Sequence, residues 1–314
     1  MTSRAQSPAP PRRPLVAWWF SDGKAGHANQ VRGLLAALSD RLPLEAHALP
    51  VLKPPQALAA LLWRRAVRRD LPLPDLLLGA GHRTHLSLLA ARRAHGGRAV
   101  VLMKPSLPRR CFDLCIVPEH DGVRSSARVL VTRGVLNAIR PAPVKKPGSG
   151  LILVGGPSSH HGWDEAVLLE RIKTIAEHDP ARHWTVAGSR RTPPATELRL
   201  AALGLLNVDN VSYRDSRPEW LPAQLATAEQ VWVTEDSVSM IYEALTAGAA
   251  VGVLGVPRRG AGRVVRGVEG LLREQWVTSF AAWQQGRALR APQQLFDEAA
   301  RCAQWMVERW FSVH

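Results

Sequence analysis

One segment of the sequence combines hydroxyl and carboxylate side chains in a pattern that suits the binding of a phosphate and a sugar. In residues 234–243 (TEDSVSMIYE), Asp236, Ser237 and Ser239 stand where an apolar run ends and a helical pattern begins. Free backbone N–H groups and the helix dipole favour a phosphate at such a point. Glu243, one turn further on, could accept hydrogen bonds from a ribose diol. An alternative is that Asp236 or Ser237 merely caps the helix.

A glycine-rich segment follows another apolar run. It leads through Gly155, Gly156 and Ser158 to two histidines at positions 160 and 161. Paired glycines let a backbone approach a diphosphate closely, and a simple Gly-Pro turn is the alternative. Two neighbouring histidines without a third ligand are typical of a polar loop. We therefore predict that the protein uses neither a metal nor a cofactor, with a nucleotide-sugar as substrate.

A third apolar run ends in a basic segment with Ser189, Arg190 and Arg191. Guanidinium groups at this point could neutralise the negative charge that develops on a nucleotide leaving group. A solvated basic loop is the alternative. We group these three residues with seven residues named above as predicted nucleotide-sugar contacts, namely Gly155, Gly156, Ser158, Asp236, Ser237, Ser239 and Glu243.

Candidates for proton transfer lie in the N-terminal half. The first apolar run ends in SDGKAGH, and there His27 or Asp22 could act as the general base toward a hydroxyl acceptor. A structural histidine at the start of a helix is the alternative. The predicted residues on the acceptor side are Gly23, Lys24, Gly26, Gly81, His82 and Arg83.

The motifs of several enzyme classes are missing from these loops. No Gly-x-Gly-x-x-Gly follows the first strand, and no Gly-x-x-x-x-Gly-Lys-Ser/Thr is present. A Gly-x-Ser-x-Gly segment is missing as well. The pattern therefore disfavours a dehydrogenase, a P-loop NTPase and an α/β-hydrolase.

Alternating short apolar runs and helical patterns must position these segments. Runs such as 15–20, 76–78, 151–154 and 231–234 are typical of buried parallel strands. Ligands bind beyond the carboxyl ends of such strands. The pattern predicts an α/β fold, in which two Rossmann-like, doubly wound domains face each other across a cleft.

The domain limits follow from composition. Residues 1–14 are rich in Ser, Pro and Arg and predict a disordered tail, and residues 141–150 (PAPVKKPGSG) predict an exposed linker. We place an acceptor domain over residues 15–144 and a donor domain over residues 148–297. The apolar face of a helix in residues 298–314 can pack back on the first domain.

Charge is divided unequally between the two halves. Residues 1–147 carry 24 basic and 8 acidic side chains, while residues 148–314 carry 17 and 18. The basic half predicts an anionic partner, namely a phosphorylated or lipid-linked glycan or the surface of an anionic membrane. Nucleic acid is disfavoured because no recognisable binding motif accompanies the charge. Three cysteines and the lack of a membrane-spanning run predict a cytoplasmic protein, peripheral on the inner face of the inner membrane at most.

Eight segments together resemble the mitochondrial-fission Elm family. They are SDGKAGHANQ, LLLGAGHRTH, KPSLP, FDLCIVPEHD, LVTRGVLN, LVGGPSSH, GSRRTP and VTEDSVSMIYEALTAG, and the likeness runs from about Trp18 to Leu254. The resemblance implies a GT-B fold and a glycosyltransferase activity. The family's name also admits an alternative, a non-catalytic recruitment protein that has kept the fold.

A more distant resemblance links the chain to the GT-B enzyme that adds N-acetylglucosamine to the lipid-linked peptidoglycan precursor. It implies a ribose contact at Glu243 and a diphosphate loop at Gly155–Ser158. Pro157 and the acidic pair Glu235–Asp236 depart from that enzyme's pattern, which leaves the donor open. The combined expectation is metal-independent sugar transfer to an anionic or lipid-linked glycan of the cell envelope.

Overall fold

The computed structural model describes residues 13–260 and 262–311. The predicted tail, residues 1–14, therefore lies almost entirely outside the described residues. The chain divides into two compact units. The first unit takes the described residues up to Ile116, Ser125–Leu130, and the described residues from Ala300 onward; the second takes Val117–Arg124 and Val131–Ala299.

A six-stranded sheet with the order β2-β1-β3-β4-β5-β6 forms the first unit, as far as the chain is described. Its strands are β1 Leu15–Ser21, β2 Leu44–Pro50, β3 Leu76–Ala80, β4 Arg98–Leu102, β5 Leu114–Pro118 and β6 Val129–Thr132. Its helices are α1 Ala25–Ser39, α2 Pro54–Trp63 and α3 His85–His95. β1 pairs in parallel with both β2 and β3, so the loops after these strands emerge at one edge of the sheet.

A second six-stranded sheet, with the order β12-β11-β10-β7-β8-β9, builds the second unit. Its strands are β7 Ser149–Leu153, β8 His183–Ala187, β9 Val208–Val211, β10 Gln230–Thr234, β11 Ala250–Leu254 and β12 Thr278–Ser279. The helices are α4 Glu165–His178, α5 Pro194–Ala201, α6 Trp220–Thr227, α7 Val238–Ala247, α8 Arg263–Arg273 and α9 Phe280–Gln284, and α10 Glu298–Trp310 follows. β7 pairs in parallel with both β8 and β10, so these three strands end at the same edge of the sheet.

The two sheets confirm the predicted α/β fold with two Rossmann-like, doubly wound units. Strands β3 and β5 are buried at every position, because helices cover both faces of a parallel sheet. The predicted strand at 151–154 corresponds to β7 and the one at 231–234 to β10, with no bound shifted by more than two residues.

The segment predicted as an exposed linker, residues 141–150, makes several hydrogen bonds within the second unit. Lys145 donates from Nζ to the carbonyl oxygens of Leu225 and Ala247, at 2.9 and 2.7 Å. The amide of Lys146 donates to Thr227 at 2.9 Å. The segment thus donates to three backbone carbonyls in the last turns of helices α6 and α7, and burial lowers the pKa of Lys145.

Helix α10 makes its contacts in the first unit from Ala300 onward. Cys302 and Met306 on its inner face are fully buried. Arg41 donates to Gln304 at 3.2 Å, and the Arg98 guanidinium lies 4.8 Å from the centre of the Trp310 ring. None of the helices in the described part of the chain is long and apolar enough to span a membrane.

Candidate functional site

The second unit gathers three loops at the carboxyl ends of β7, β8 and β10. Asp236, which follows β10, is the centre of this loop cluster, and its side chain is fully buried. Arg191, from the loop after β8, forms an ion pair with Asp236 at 2.7 Å. Gly156, from the loop after β7, donates its amide to the same carboxylate oxygen at 3.0 Å. One carboxylate therefore ties together three loops that are distant in sequence.

Arg191 completes the connection between these loops. Its Nη1 donates to the carbonyl oxygen of Gly156 at 2.8 Å, and its Nη2 donates to Oγ of Ser237 at 3.0 Å. Asp236 therefore balances the charge of Arg191, which the sequence analysis predicted to neutralise a nucleotide leaving group. Arg190 next to it is exposed and forms no ion pair within the described residues.

The amides of Gly155 and Gly156 both have partners inside the loop cluster. The amide of Gly155 donates to Thr234 at 2.8 Å, and that of Gly156 donates to Asp236, so neither amide is free for a diphosphate. A Cβ on Gly155 would overlap Ser237 and Asp236, and one on Gly156 would overlap the carbonyl of Arg191. These glycines are needed because the loops pack closely on one another.

Serine hydroxyls in two of the loops are used within local turns. Oγ of Ser158 accepts from the amides of residues 160 and 161, at 3.2 and 3.1 Å. Oγ of Ser189 accepts from the amide of Arg191 at 3.2 Å. Thr192, which sequence reasoning passed over, donates to the carbonyl of Gly155 at 2.6 Å and thereby joins the β7 and β8 loops.

Helix α7 begins without a side-chain cap. Ser237 is the N-cap residue, yet its side chain makes no capping hydrogen bond, and Oδ1 of Asp236 has no hydrogen-bond partner among the described residues. The capping alternative is therefore wrong. Ser239 is exposed in the first turn, and Glu243 is buried in the second. The dipole of a ten-residue helix thus meets this edge of the sheet without a side-chain cap.

Glu235, the second acid of the β10 loop, also has a basic partner. Arg258 donates from Nε to Glu235 at 2.8 Å and from Nη1 to Glu269 of helix α8 at 2.7 Å. Each acid of the pair that departs from the peptidoglycan enzyme's pattern is therefore neutralised by an arginine. The sequence did not reveal Arg258, because 23 residues separate it from Glu235.

His161 is fully buried, so the interpretation of both histidines as a polar loop is wrong for this one. Neither of its ring nitrogens has a hydrogen-bond partner in the part of the chain that the structure describes. Burial lowers the pKa of His161, and the nearby charges of Glu235 and Asp236 oppose that shift. No group of three or more His, Cys, Asp or Glu side chains suited to a metal is found among the residues described.

In the first unit, the loop after β1 joins Asp22 and His27. Nδ1 of His27 donates to Oδ2 of Asp22 at 3.0 Å, and the Asp22 side chain is almost fully buried. Burial opposes ionisation of Asp22, but the hydrogen bonds from the amide of Lys24 and from the His27 ring outweigh it and lower its pKa. A charged Asp22 accepts from Nδ1, which leaves Nε2 of His27 as the proton acceptor.

Gly81 brings the loop after β3 against the same imidazole. Its φ of +80° is favoured by glycine, and a Cβ there would lie 2.7 Å from Nδ1 of His27. Of the other acceptor-side residues, Gly23 has a φ of +82°, and Gly26, His82 and Arg83 are exposed. The carbonyl of Lys24 accepts from the amide of His27 at 3.1 Å. The structure thus joins Asp22, His27 and Gly81, and it leaves His82 and Arg83 at the surface.

Replacing Gly156 with Ala is expected to lower the free energy of unfolding by about 1–3 kcal/mol, the usual cost of overpacking. The reason is that the Arg191 carbonyl already fills the space of a Cβ. Urea-induced unfolding measures the effect. Gly26→Ala is the matched control, since nothing lies within 4 Å of its Cβ position, and helix α1 should gain up to about 1 kcal/mol. Equal behaviour of the two variants would contradict the close packing described here.

Comparisons with known proteins agree with this architecture. The family model described as Mitochondrial fission ELM1 matches residues 25–310. No curated protein matches the chain significantly.

Solved structures of low sequence identity share the fold. A protein described as a UDP-N-acetylglucosamine 2-epimerase from Listeria monocytogenes is 13% identical with a TM-score of 0.58, over 95% of this chain and 97% of that one. MurG from Acinetobacter baumannii is 13% identical with a TM-score of 0.51, over 94% and 99%. UDP-GlcNAc 2-epimerase from Methanocaldococcus jannaschii is 11% identical with a TM-score of 0.50, over 94% and 100%. The chain thus has the GT-B fold that the sequence predicted.

Proposed function

We propose that this chain, which belongs to the mitochondrial fission ELM1 family, is a metal-independent glycosyltransferase. The donor is a nucleotide-sugar bound by the second unit, and the acceptor is an anionic or lipid-linked glycan of the cell envelope bound by the first. The protein would act in the cytoplasm, at the inner face of the inner membrane, without a cofactor.

The loop cluster around Asp236 is the observation that carries the proposal. It places the uncapped start of helix α7, the exposed Ser239 and the exposed Arg190 at one sheet edge. A helix N-terminus and a guanidinium group suit a diphosphate, and Glu243 on the second turn suits a ribose diol. Two proteins of similar fold carry UDP-N-acetylglucosamine in their names, which supports a UDP-linked sugar as the first donor to test.

The contacts described above give each residue its proposed role in the transfer reaction. Arg190 and the α7 dipole stabilise the charge on the departing nucleotide. His27 takes the proton of the acceptor hydroxyl at Nε2, and Asp22 is a positioning residue that holds the ring through Nδ1. The basic character of the N-terminal half attracts an anionic acceptor.

Isothermal titration calorimetry with UDP-, GDP-, ADP- and CMP-linked sugars tests the donor site. We expect one nucleotide class to bind, and Glu243→Gln to weaken that binding about tenfold through the loss of a charged hydrogen bond. Glu219→Gln, an exposed acid at the start of α6, is the control and should bind as the wild type does. If no nucleotide-sugar binds, the donor site is wrong, and the recruitment protein that kept the fold becomes the better explanation.

A further inference from the structure

Helix α2 in the first unit is oriented with its large apolar side chains outward. Ala57 and Ala60 are buried against the unit, whereas Leu58, Leu62 and Trp63 are 53%, 59% and 69% exposed. Surface helices normally bury their large apolar side chains and expose charged ones. The helix sequence, PPQALAALLW, contains no charged residue at all. An exposed apolar helix face of this kind marks an interaction site.

Basic residues flank this face at both ends. Lys53 directly precedes the helix, and Arg64, Arg65 and Arg69 follow it. All four are exposed, and none forms an ion pair within the described chain. Arg68, by contrast, is paired with Asp70, which is the only acidic residue between Glu45 and Asp75. We call this surface the α2 patch; it consists of Leu58, Leu62, Trp63 and the four basic residues Lys53, Arg64, Arg65 and Arg69. The patch therefore combines apolar side chains with positive charges that no acidic residue neutralises within the described chain.

We propose that the α2 patch binds the surface of an anionic lipid bilayer. Helix α2 would lie in the plane of the interface, with Leu58 and Leu62 entering the acyl boundary and Trp63 at the level of the headgroups. Lys53, Arg65 and Arg69 would contact lipid phosphates, because the negative potential of such a surface attracts basic side chains. The proposal gives a physical basis to the peripheral location suggested above, and it does not depend on transferase activity.

The combination of charges and aliphatic groups favours lipid over other anionic partners. A nucleic acid would contact the four basic side chains but would leave Leu58 and Leu62 exposed, because phosphate binding is electrostatic. A bilayer surface uses both kinds of side chain. The inward-facing alanines also keep the helix close to the body of the unit, so the patch is held in place without rearrangement.

Co-sedimentation of the full chain with vesicles tests the proposal, without any nucleotide-sugar present. We expect binding to phosphatidylcholine vesicles that contain about one third phosphatidylglycerol, weaker binding as salt is raised, and little binding to phosphatidylcholine alone. The triple variant Leu58→Ser/Leu62→Ser/Trp63→Ser should bind the anionic vesicles about 100-fold more weakly, because each side chain contributes about 1 kcal/mol on partial burial. The double variant Leu198→Ser/Leu206→Ser is the control, since both leucines are exposed in the second unit.

A charge variant separates the two contributions. Lys53→Gln/Arg65→Gln/Arg69→Gln should weaken binding to anionic vesicles and reduce its dependence on salt. Equal binding by the wild type and the serine triple variant would overturn the proposal, as would binding to duplex DNA without binding to vesicles. Donor calorimetry on the triple variant should match the wild type, so that a failure of lipid binding is distinguishable from a failure of the donor site.

Discussion

His27→Ala is expected to lower kcat by about 10²–10⁴-fold, the usual contribution of a general base. The buried carboxylate of Asp22 accepts from Nδ1 at 3.0 Å and so holds the tautomer in which Nε2 accepts a proton. Asp22→Asn should cause a loss of comparable size with KM nearly unchanged, since an amide can donate to Nδ1 and stabilise the other tautomer. The measurement is the rate of sugar transfer, or of donor hydrolysis without acceptor, with the nucleotide-sugar that calorimetry identifies.

His82→Ala provides the matched control for this prediction. His82 directly follows Gly81, which packs on the His27 ring, but its own side chain is exposed. Its removal should change kcat less than threefold, the effect of about 0.6 kcal/mol on a barrier. An equal loss in the two histidine variants would show that the Asp22–His27 pair is structural and that the base lies elsewhere.

Much of the fold could be predicted from the sequence, because central parallel strands are apolar without interruption. Strands β3, β5 and β11 are buried at every position, and an unbroken apolar run is a strong signal. The edge strands gave no such signal. β2 (LEAHALP) and β9 (VDNV) expose several of their residues, and only their pairing with β1 and β8 identifies them as strands.

The loops that form the sites could be predicted from the sequence. The contacts between these loops could not, because they depend on the register of the strands in each sheet. Parallel pairing sets Phe20 beside Gly79, and this register brings Gly81 against His27. In the same way, Thr234 pairs with Leu254, and Arg258 in the following loop then reaches Glu235. The roles of Gly155 and Gly156 were missed for a related reason. Gly155 packs against the side chains of Asp236 and Ser237, and Gly156 packs against the backbone of Arg191. No pattern within one segment reveals such packing between loops.

Arg191→Ala is expected to lower the free energy of unfolding by about 3 kcal/mol, near the lower limit for breaking a buried ion pair. The Asp236 side chain is fully buried, while that of Arg191 is 41% exposed. Removing the guanidinium leaves a buried negative charge supported only by the Gly156 amide and the Ser237 hydroxyl. Water can replace Arg191 in part, which is why a larger loss is not expected. Urea-induced unfolding measures the difference.

Adding Asp236→Asn to Arg191→Ala should restore at least about 1 kcal/mol, because it removes the uncompensated charge and costs only neutral hydrogen bonds. Arg199→Ala is the control. Its ion pair with Glu165 is more exposed, with 64% of the arginine side chain accessible, and its loss should cost less than about 1 kcal/mol. A double variant no more stable than Arg191→Ala would contradict the central role of Asp236. In that case the three loops would be held by backbone contacts, and the charge of Arg191 would be available to a bound nucleotide.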